Sequence, residues 1–382
     1  MHEAEDGWLA RLRLPGGMVS AAQLAAIAEL AGEGNGLVEL TARANLQVRG
    51  LPPESGAAFV KALEAVGLLP SRTHERIRNV LASPLAGRHP RSLCATDQLV
   101  DELDRALCAD VELAQLPQRF LLALDDGSGG ALAPTADIAL AGCGEDRFRL
   151  LLGGIPTDAV VPGRQAAELA LMAARAFLAL SDDGGWRVAE LPDGARSIAA
   201  RLGARLAPTD ELPASIAVPP GRCEQRDGRF ALTALPPLGR LDSEVVSALA
   251  ALARACAGPI RIAATKSLSF VDLEPAAVDR LARALQELGL VTEPGSGWEG
   301  LSACAGLGAC AKARIDVRAA ASARAAVRGA GARWEHWSAC ERRCGEPRGV
   351  PLSVAASGDA VAVGEQIVPD VGRALGLLEQ GA

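Results

Sequence analysis

Leu37-Val38-Glu39-Leu40-Thr41 and, after a short turn, Leu46-Gln47-Val48-Arg49 form the stretch on which the fold turns. Both segments read as short strands, with apolar positions set for one face of a sheet. The pair recurs as Ile260 to Ala264 and Leu268 to Asp272, the second strand 222 residues later and the first within one residue of that offset. Outward from each pair the repetition continues. Upstream lies an amphipathic helix, the first starting near Ser20, which with Gln23 makes a capping-box pattern, and reaching about Gly32. Its counterpart starts near Asp242 or Ser243 and reaches about Ala257. Before the helices stand the turn-led strands Asp6 to Leu12 and Asp227 to Leu232. A second helix closes each unit, ending at Val66-Gly67-Leu68 and at Leu288-Gly289-Leu290, again 222 apart.

Each unit reads strand, helix, strand, strand, helix, and the constant offset weighs against chance similarity. A unit of this kind leaves a sheet edge and face open, which a second copy covers most economically. The expected architecture is α+β: duplicated ferredoxin-like half-domains at 1–75 and 215–295, each followed by a longer α/β segment, 76–205 and 296–382. The Pro-rich stretch 205–225 reads as the linker between them.

Composition narrows the function. Half the residues, 49%, are apolar, so the 382-residue chain buries several cores and is not disordered. With no Tyr, five Trp and six Phe there is little to stack on bases, and 39 basic against 46 acidic side chains leave a net charge of −7. Both features argue against a nucleic-acid partner. The most apolar stretches, such as Leu169 to Leu180 with Arg175 inside it, fall short of a membrane span. The acidic start Met1-His2-Glu3-Ala4-Glu5-Asp6 reads as no secretory signal. The expected compartment is the cytoplasm, where nine cysteines are reduced and serve as metal ligands or buried fillers.

Five of them, Cys94, Cys108, Cys143, Cys223 and Cys256, are scattered singly and read as small buried hydrophobes. The other four form Cys304-Ala305-Gly306-Leu307-Gly308-Ala309-Cys310 and Cys340-Glu341-Arg342-Arg343-Cys344. A five-residue gap is wide for a zinc knuckle. It suits an iron–sulfur cube, whose thiolates reach separate irons, and the glycines let the loop wrap closely. Gly295-Ser296-Gly297-Trp298-Glu299-Gly300 spells a dinucleotide fingerprint but runs straight into the cysteine loop, so it reads as a turn. Thr41 to Ser92 carries eight basic residues against three acids, a local excess suited to a polycarboxylate.

On the two cysteine pairs, the chain resembles the sirohaem-dependent sulfite and nitrite reductase superfamily, whose signature is C-x5-C followed at a distance by C-x3-C. Thr41 to Arg49 and Arg76-Ile77-Arg78-Asn79-Val80 are similar to its first-half fingerprint and to the segment that approaches the tetrapyrrole. The resemblance implies a sulfite reductase-like fold in which 76–205 and 296–382 bind tetrapyrrole and cluster. It implies a [4Fe–4S] cluster on Cys304, Cys310, Cys340 and Cys344, the last also bridging to the sirohaem iron.

Within the superfamily, His74 to Gly87, Pro237 to Leu241 and His336 to Cys340 are similar to the precorrin-3B synthase family, with Ala305 and Ala339 in place of its usual Pro and Gly. The anion reductases carry two lysines in a motif resembling Leu-Pro-x-Lys-Phe-Lys. Here Leu116-Pro117-Gln118-Arg119-Phe120-Leu121 keeps one cation, Arg119, and an apolar residue cannot stabilise an anion. The resemblance therefore implies an oxygen-dependent monooxygenase of cobalamin synthesis. It would hydroxylate precorrin-3A with γ-lactone closure, using dioxygen and an NADH-linked electron donor, as a monomer. A sirohaem-dependent sulfite or nitrite reductase is the alternative. On the first reading Arg43, Arg49, Arg76, Arg78 and Asn79 bind substrate, Arg119 stands at the reactive edge, and a mononuclear non-haem iron is implied, with His74, His89 and His336 as candidate ligands.

Overall fold

The computed structural model describes residues 1–382 except 133–135, 182–183, 210–211, 213–215, 348–349, 351 and 381–382. Four five-stranded sheets are present among the described residues. The first runs His2–Ala4, Gly7–Leu12, Leu46–Leu51, Leu37–Leu40, and the second runs Gly221–Glu224, Phe230–Ala234, Leu268–Leu273, Ile260–Ile262, both antiparallel throughout. Helices Ala21–Gly32 and Ser243–Ala255 pack against each other between the copies. The capping box forms, with Ser20 Oγ accepting from the Gln23 N–H and the Gln23 side chain accepting from the Ser20 N–H. Helices Gly56–Ala65 and Pro275–Glu287 end alike: Gly67 and Gly289 take φ of 72° and 80°, so the next residues, Leu68 and Leu290, can donate back into the last turn. One continuous core joins the two copies.

The copies also exchange strands. Arg240–Asp242 completes the first sheet beside Leu37–Leu40, and Met18–Val19 completes the second beside Ile260–Ile262. Each exchanged strand follows a tight turn, Pro15–Gly17 or Pro237–Gly239, in which Gly16 has φ 65° and Leu238 has φ 55°. At Gly17, φ is 69° and an added Cβ would stand 2.1 Å from the Ile262 carbonyl oxygen. Gly17→Ala is therefore expected to lower stability by at least about 1–3 kcal/mol, the cost of a strained backbone, measured as a lower urea midpoint.

The two remaining sheets share one topology, a parallel start and an antiparallel finish. Val80–Ala82, Leu122–Asp125, Ile138–Gly144, Arg147–Leu152 and Ile155–Pro162 form one. Leu301–Ala303, Glu335–Ser338, Leu352–Ser357, Ala360–Val363 and Gln366–Val368 form the other. The duplication thus reaches beyond the half-domains, although the chemistry diverges. Beyond the first two strands of the former sheet, buried Asp125 and Asp126 are filled by Ser83 and Ser92 hydroxyls and loop N–H groups. In the latter sheet the same strand ends carry cysteines. No helix of the described residues is long and apolar enough to cross a membrane.

Candidate active site

Parallel pairing of Leu301–Ala303 with Glu335–Ser338 brings Cys304 and Cys340 to neighbouring strand ends, where the Cys304 N–H donates to the Trp337 carbonyl at 3.0 Å. The Ala339 N–H points at Cys304 Sγ at 3.2 Å, and the Gly306 N–H also faces it. Gly306 and Gly308, at φ 75° and 76°, curl the loop back. Burial pushes the Cys304 thiol up, the facing N–H groups oppose this, and Cys340 and Cys344 add charge repulsion. Thiolates that feel one another's charge are stabilised by a cation, which cluster iron would supply. Soft ligands, three of them half-buried and Cys344 exposed, together with inward N–H groups and a glycine-shaped loop fit an iron–sulfur cluster. Cys310 lies at the far end of the loop, next to Ala309, whose carbonyl accepts from Arg49 Nη2 at 2.8 Å.

Cys304 and Cys344 line a cavity of about 580 Å³ whose walls carry eight cationic side chains and one carboxylate. This is the scale of a cofactor or small-molecule site. The carboxylate is Glu39. It accepts from Arg240 at 2.9 Å, Arg318 at 3.1 Å and Gln47 at 2.7 Å, with Arg49 at 3.5 Å. Arg49 also grips Asp6 through two bonds of 2.9 Å. Burial works against its charge, but Asp6 and Glu39 outweigh burial and hold its pKa above the ordinary arginine value. Arg49 is thus on the wall, spoken for by two carboxylates and by the cysteine loop.

Arg43 sits in the turn read from sequence. Thr41 Oγ1 accepts from the Arg43 and Asn45 N–H groups, and Ala44 takes φ 53°. The Arg43 guanidinium donates to the Gln118 and Arg119 carbonyls, both at 3.2 Å. Asn79 is fully buried and donates to the Gln118 and Phe120 carbonyls, so it shapes the Arg119 loop from behind without lining the cavity. Arg119 lines the cavity, its guanidinium 5.5 Å from the Trp186 ring centroid. Arg76 and Arg78 stand elsewhere: Arg76 is exposed beside Glu75, and Arg78 is buried against Asp104 at 2.7 Å and the Leu68 carbonyl at 3.1 Å.

Sequence reasoning missed Arg11, Arg13, Arg240, Arg318 and Lys266. Leu9, Arg11 and Arg13 alternate along one face of the first long strand and its extension, so period-2 spacing was the available signal. Burial and then repulsion from Arg43 and Arg11 lower the pKa of Arg13 to about 10. Arg43 is lowered as well, by burial and then by Arg187, with Arg119 and Arg11 adding to it. Guanidiniums that depress one another create a positive potential seeking an anion.

The histidines occupy separate networks. His74 bonds Ser71, Thr73 and the Asp110 carbonyl, and His89 accepts from the Arg91 N–H. His336 is buried with Nδ1 on Ser302 Oγ at 2.8 Å, and burial and Lys266 lower its pKa to about 4. Among the described residues no three His, Cys, Asp or Glu side chains share one ion position, so the implied mononuclear iron has no support. In the Gly295–Gly300 turn, Glu299 takes the Gly295 and Ser296 N–H groups that a phosphate would need.

Residues 2–66 and 224–288 each match the nitrite/sulfite reductase ferredoxin-like half domain, at the offset seen in the sequence. These two copies, about a third of the chain, are half-domains of the nitrite/sulfite reductase type. A ferredoxin–nitrite reductase of Synechococcus elongatus is 31% identical over 201 residues, covering 47% of this chain and 39% of that protein. The spinach chloroplast ferredoxin–nitrite reductase is 24% identical over 395 residues, covering 89% and 64%. A ferredoxin sulfite reductase of Mycolicibacterium paratuberculosis is 24% identical, covering 78% and 58%. This chain therefore spans less than two thirds of the length of each of these three relatives. The structure of the NirA protein of Mycobacterium tuberculosis superposes with a TM-score of 0.73 at 21% identity, covering 94% of this chain and 72% of that one, which establishes the shared fold.

These relatives overturn the expected cobalamin-pathway monooxygenase and favour the reductase alternative. The physical error lay in treating one motif as the whole charge supply. Leu121 is buried in the core, its N–H bonded to Asp137. The cavity keeps Arg119 from that motif and draws its other seven cations from other segments of the chain.

Proposed function

We propose that the chain reduces a small oxyanion, nitrite or sulfite. On this reading a [4Fe–4S] cluster is held by Cys304, Cys310, Cys340 and Cys344, and sirohaem lies in the adjoining cavity. When bound, these groups supply electrons one at a time and an iron at which the oxyanion is reduced. The observation that carries the reading is the crowding of Arg11, Arg13, Arg43 and Arg119 around the cavity that Cys304 and Cys344 also line. Arg49 anchors the cysteine loop through Ala309. Arg43 braces the Gln118–Arg119 backbone, leaving the Arg119 side chain to meet an anion in a field already positive. The relatives' names suggest ferredoxin, a one-electron protein carrier, as the donor.

The test uses protein produced with iron, sulfide and sirohaem supply, reduced by methyl viologen and offered nitrite and sulfite separately. Consumption of one of them supports the reading, and consumption of neither overturns it. Arg119→Gln is expected to lower kcat/KM for the oxyanion about 10²-fold, comparable to removing one preorganised donor, while iron and acid-labile sulfide content stay at the wild-type level.

A further inference from the structure

Lys266 occupies the position 222 residues after Ala44, and the two residues adopt the same left-handed turn, at φ 63° and 53°. In the first copy the small side chain is buried in the core. The second copy carries a lysine, in a backbone region where a side chain costs free energy. Its neighbourhood is shaped for it: Gly239 lies against the stem, and a Cβ there would stand 2.8 Å from Lys266 Cδ. The side chain lies on the wall between the 580 Å³ cavity and a second, more apolar cavity of about 300 Å³, lining both. The Lys266 N–H closes the turn on the Ala263 carbonyl at 2.9 Å, and among the described residues no carboxylate forms an ion pair with its ammonium. The two negative groups that act on it are Glu39 and Cys304. Glu39 is already held by Arg240, Arg318, Arg49 and Gln47. The half-buried ammonium faces the cavity that Cys304 also lines, and the remaining anion is that of the cysteine loop.

We propose that Lys266 is the electrostatic counter-charge of the [4Fe–4S] cluster and raises the cluster's reduction potential. This rests on the cluster assignment of the previous section. A cluster ligated by four thiolates is anionic and gains a further negative charge on reduction, so a fixed cation beside one ligand favours the reduced form. In this role Lys266 acts on the cluster through space, as a tuning residue.

The test is a redox titration of the holoenzyme followed by the paramagnetic signal of the reduced cluster, independent of turnover. K266Q is expected to lower the midpoint potential by about 59 mV or more, a tenfold change in the one-electron equilibrium. K266R stays near the wild-type value. If K266Q loads no iron, K266M, which keeps the apolar stem over Gly239, carries the same measurement. A wild-type cluster whose potential is unmoved in the charge-removing variant overturns this inference alone, as does an unmoved potential with loss of tetrapyrrole absorption, which would assign the lysine to a tetrapyrrole carboxylate. Absence of a cluster signal from wild-type protein overturns both this inference and the reading beneath it.

Discussion

Cys344→Ser is expected to bring oxyanion reduction to background, a larger loss than the roughly 10²–10³-fold of removing a single hydrogen-bond donor. Cys344 lies at a corner where the charges of Cys304 and Cys340 are also felt, and it lines the cavity beside Gly345. A serine hydroxyl is a harder and far less acidic ligand than a thiol, so it holds iron poorly at neutral pH. The measurement pairs turnover with iron and sulfide content and visible absorption. Cys143→Ser, at an exposed strand end, leaves all three unchanged. Full activity in Cys344→Ser would remove this residue from the site.

The second large effect belongs to Glu39→Ala. One nearly buried carboxylate receives arginines from three parts of the chain: Arg49 in the first half-domain, Arg240 on the exchanged strand and Arg318 in the helix after the cysteine loop. Removing it leaves three guanidiniums facing one another in a poorly solvated wall. Deleting one member of a buried ionic cluster typically costs about 3–5 kcal/mol, and that loss is expected in urea unfolding. Because Arg49 also holds the Ala309 carbonyl, the variant should release iron faster on chelator challenge than wild type. A stability within about 0.5 kcal/mol of wild type, the range of ordinary surface changes, would show that the arginines find other partners.

The fold was legible where local chemistry repeats. The capping box at Ser20, the glycine helix ends at Gly67 and Gly289 and the strand pairs at 37–49 and 260–272 depend on neighbours in sequence, so one offset exposes them all. The exchanged strands were not legible. Met18–Val19 and Arg240–Asp242 are too short to show a period, and their partners lie in the opposite copy.

The site divides along the same line. The four cysteines stand out because their ligand spacing is local. The arginines mislead because sequence records how many cations a stretch carries but not which are already paired. Arg78 sits in the most basic stretch and is neutralised by Asp104 from a helix further on. Lys266, isolated in sequence, arrives at the cavity through a turn of the second copy. By itself the sequence determined the duplication and the helix and strand identities and singled out the two cysteine pairs, all of which follow from short-range periodicity and spacing. Tertiary structure alone decided which charges remain unneutralised in the cavity, because that depends on partners brought together from distant segments as the copies pack and exchange strands.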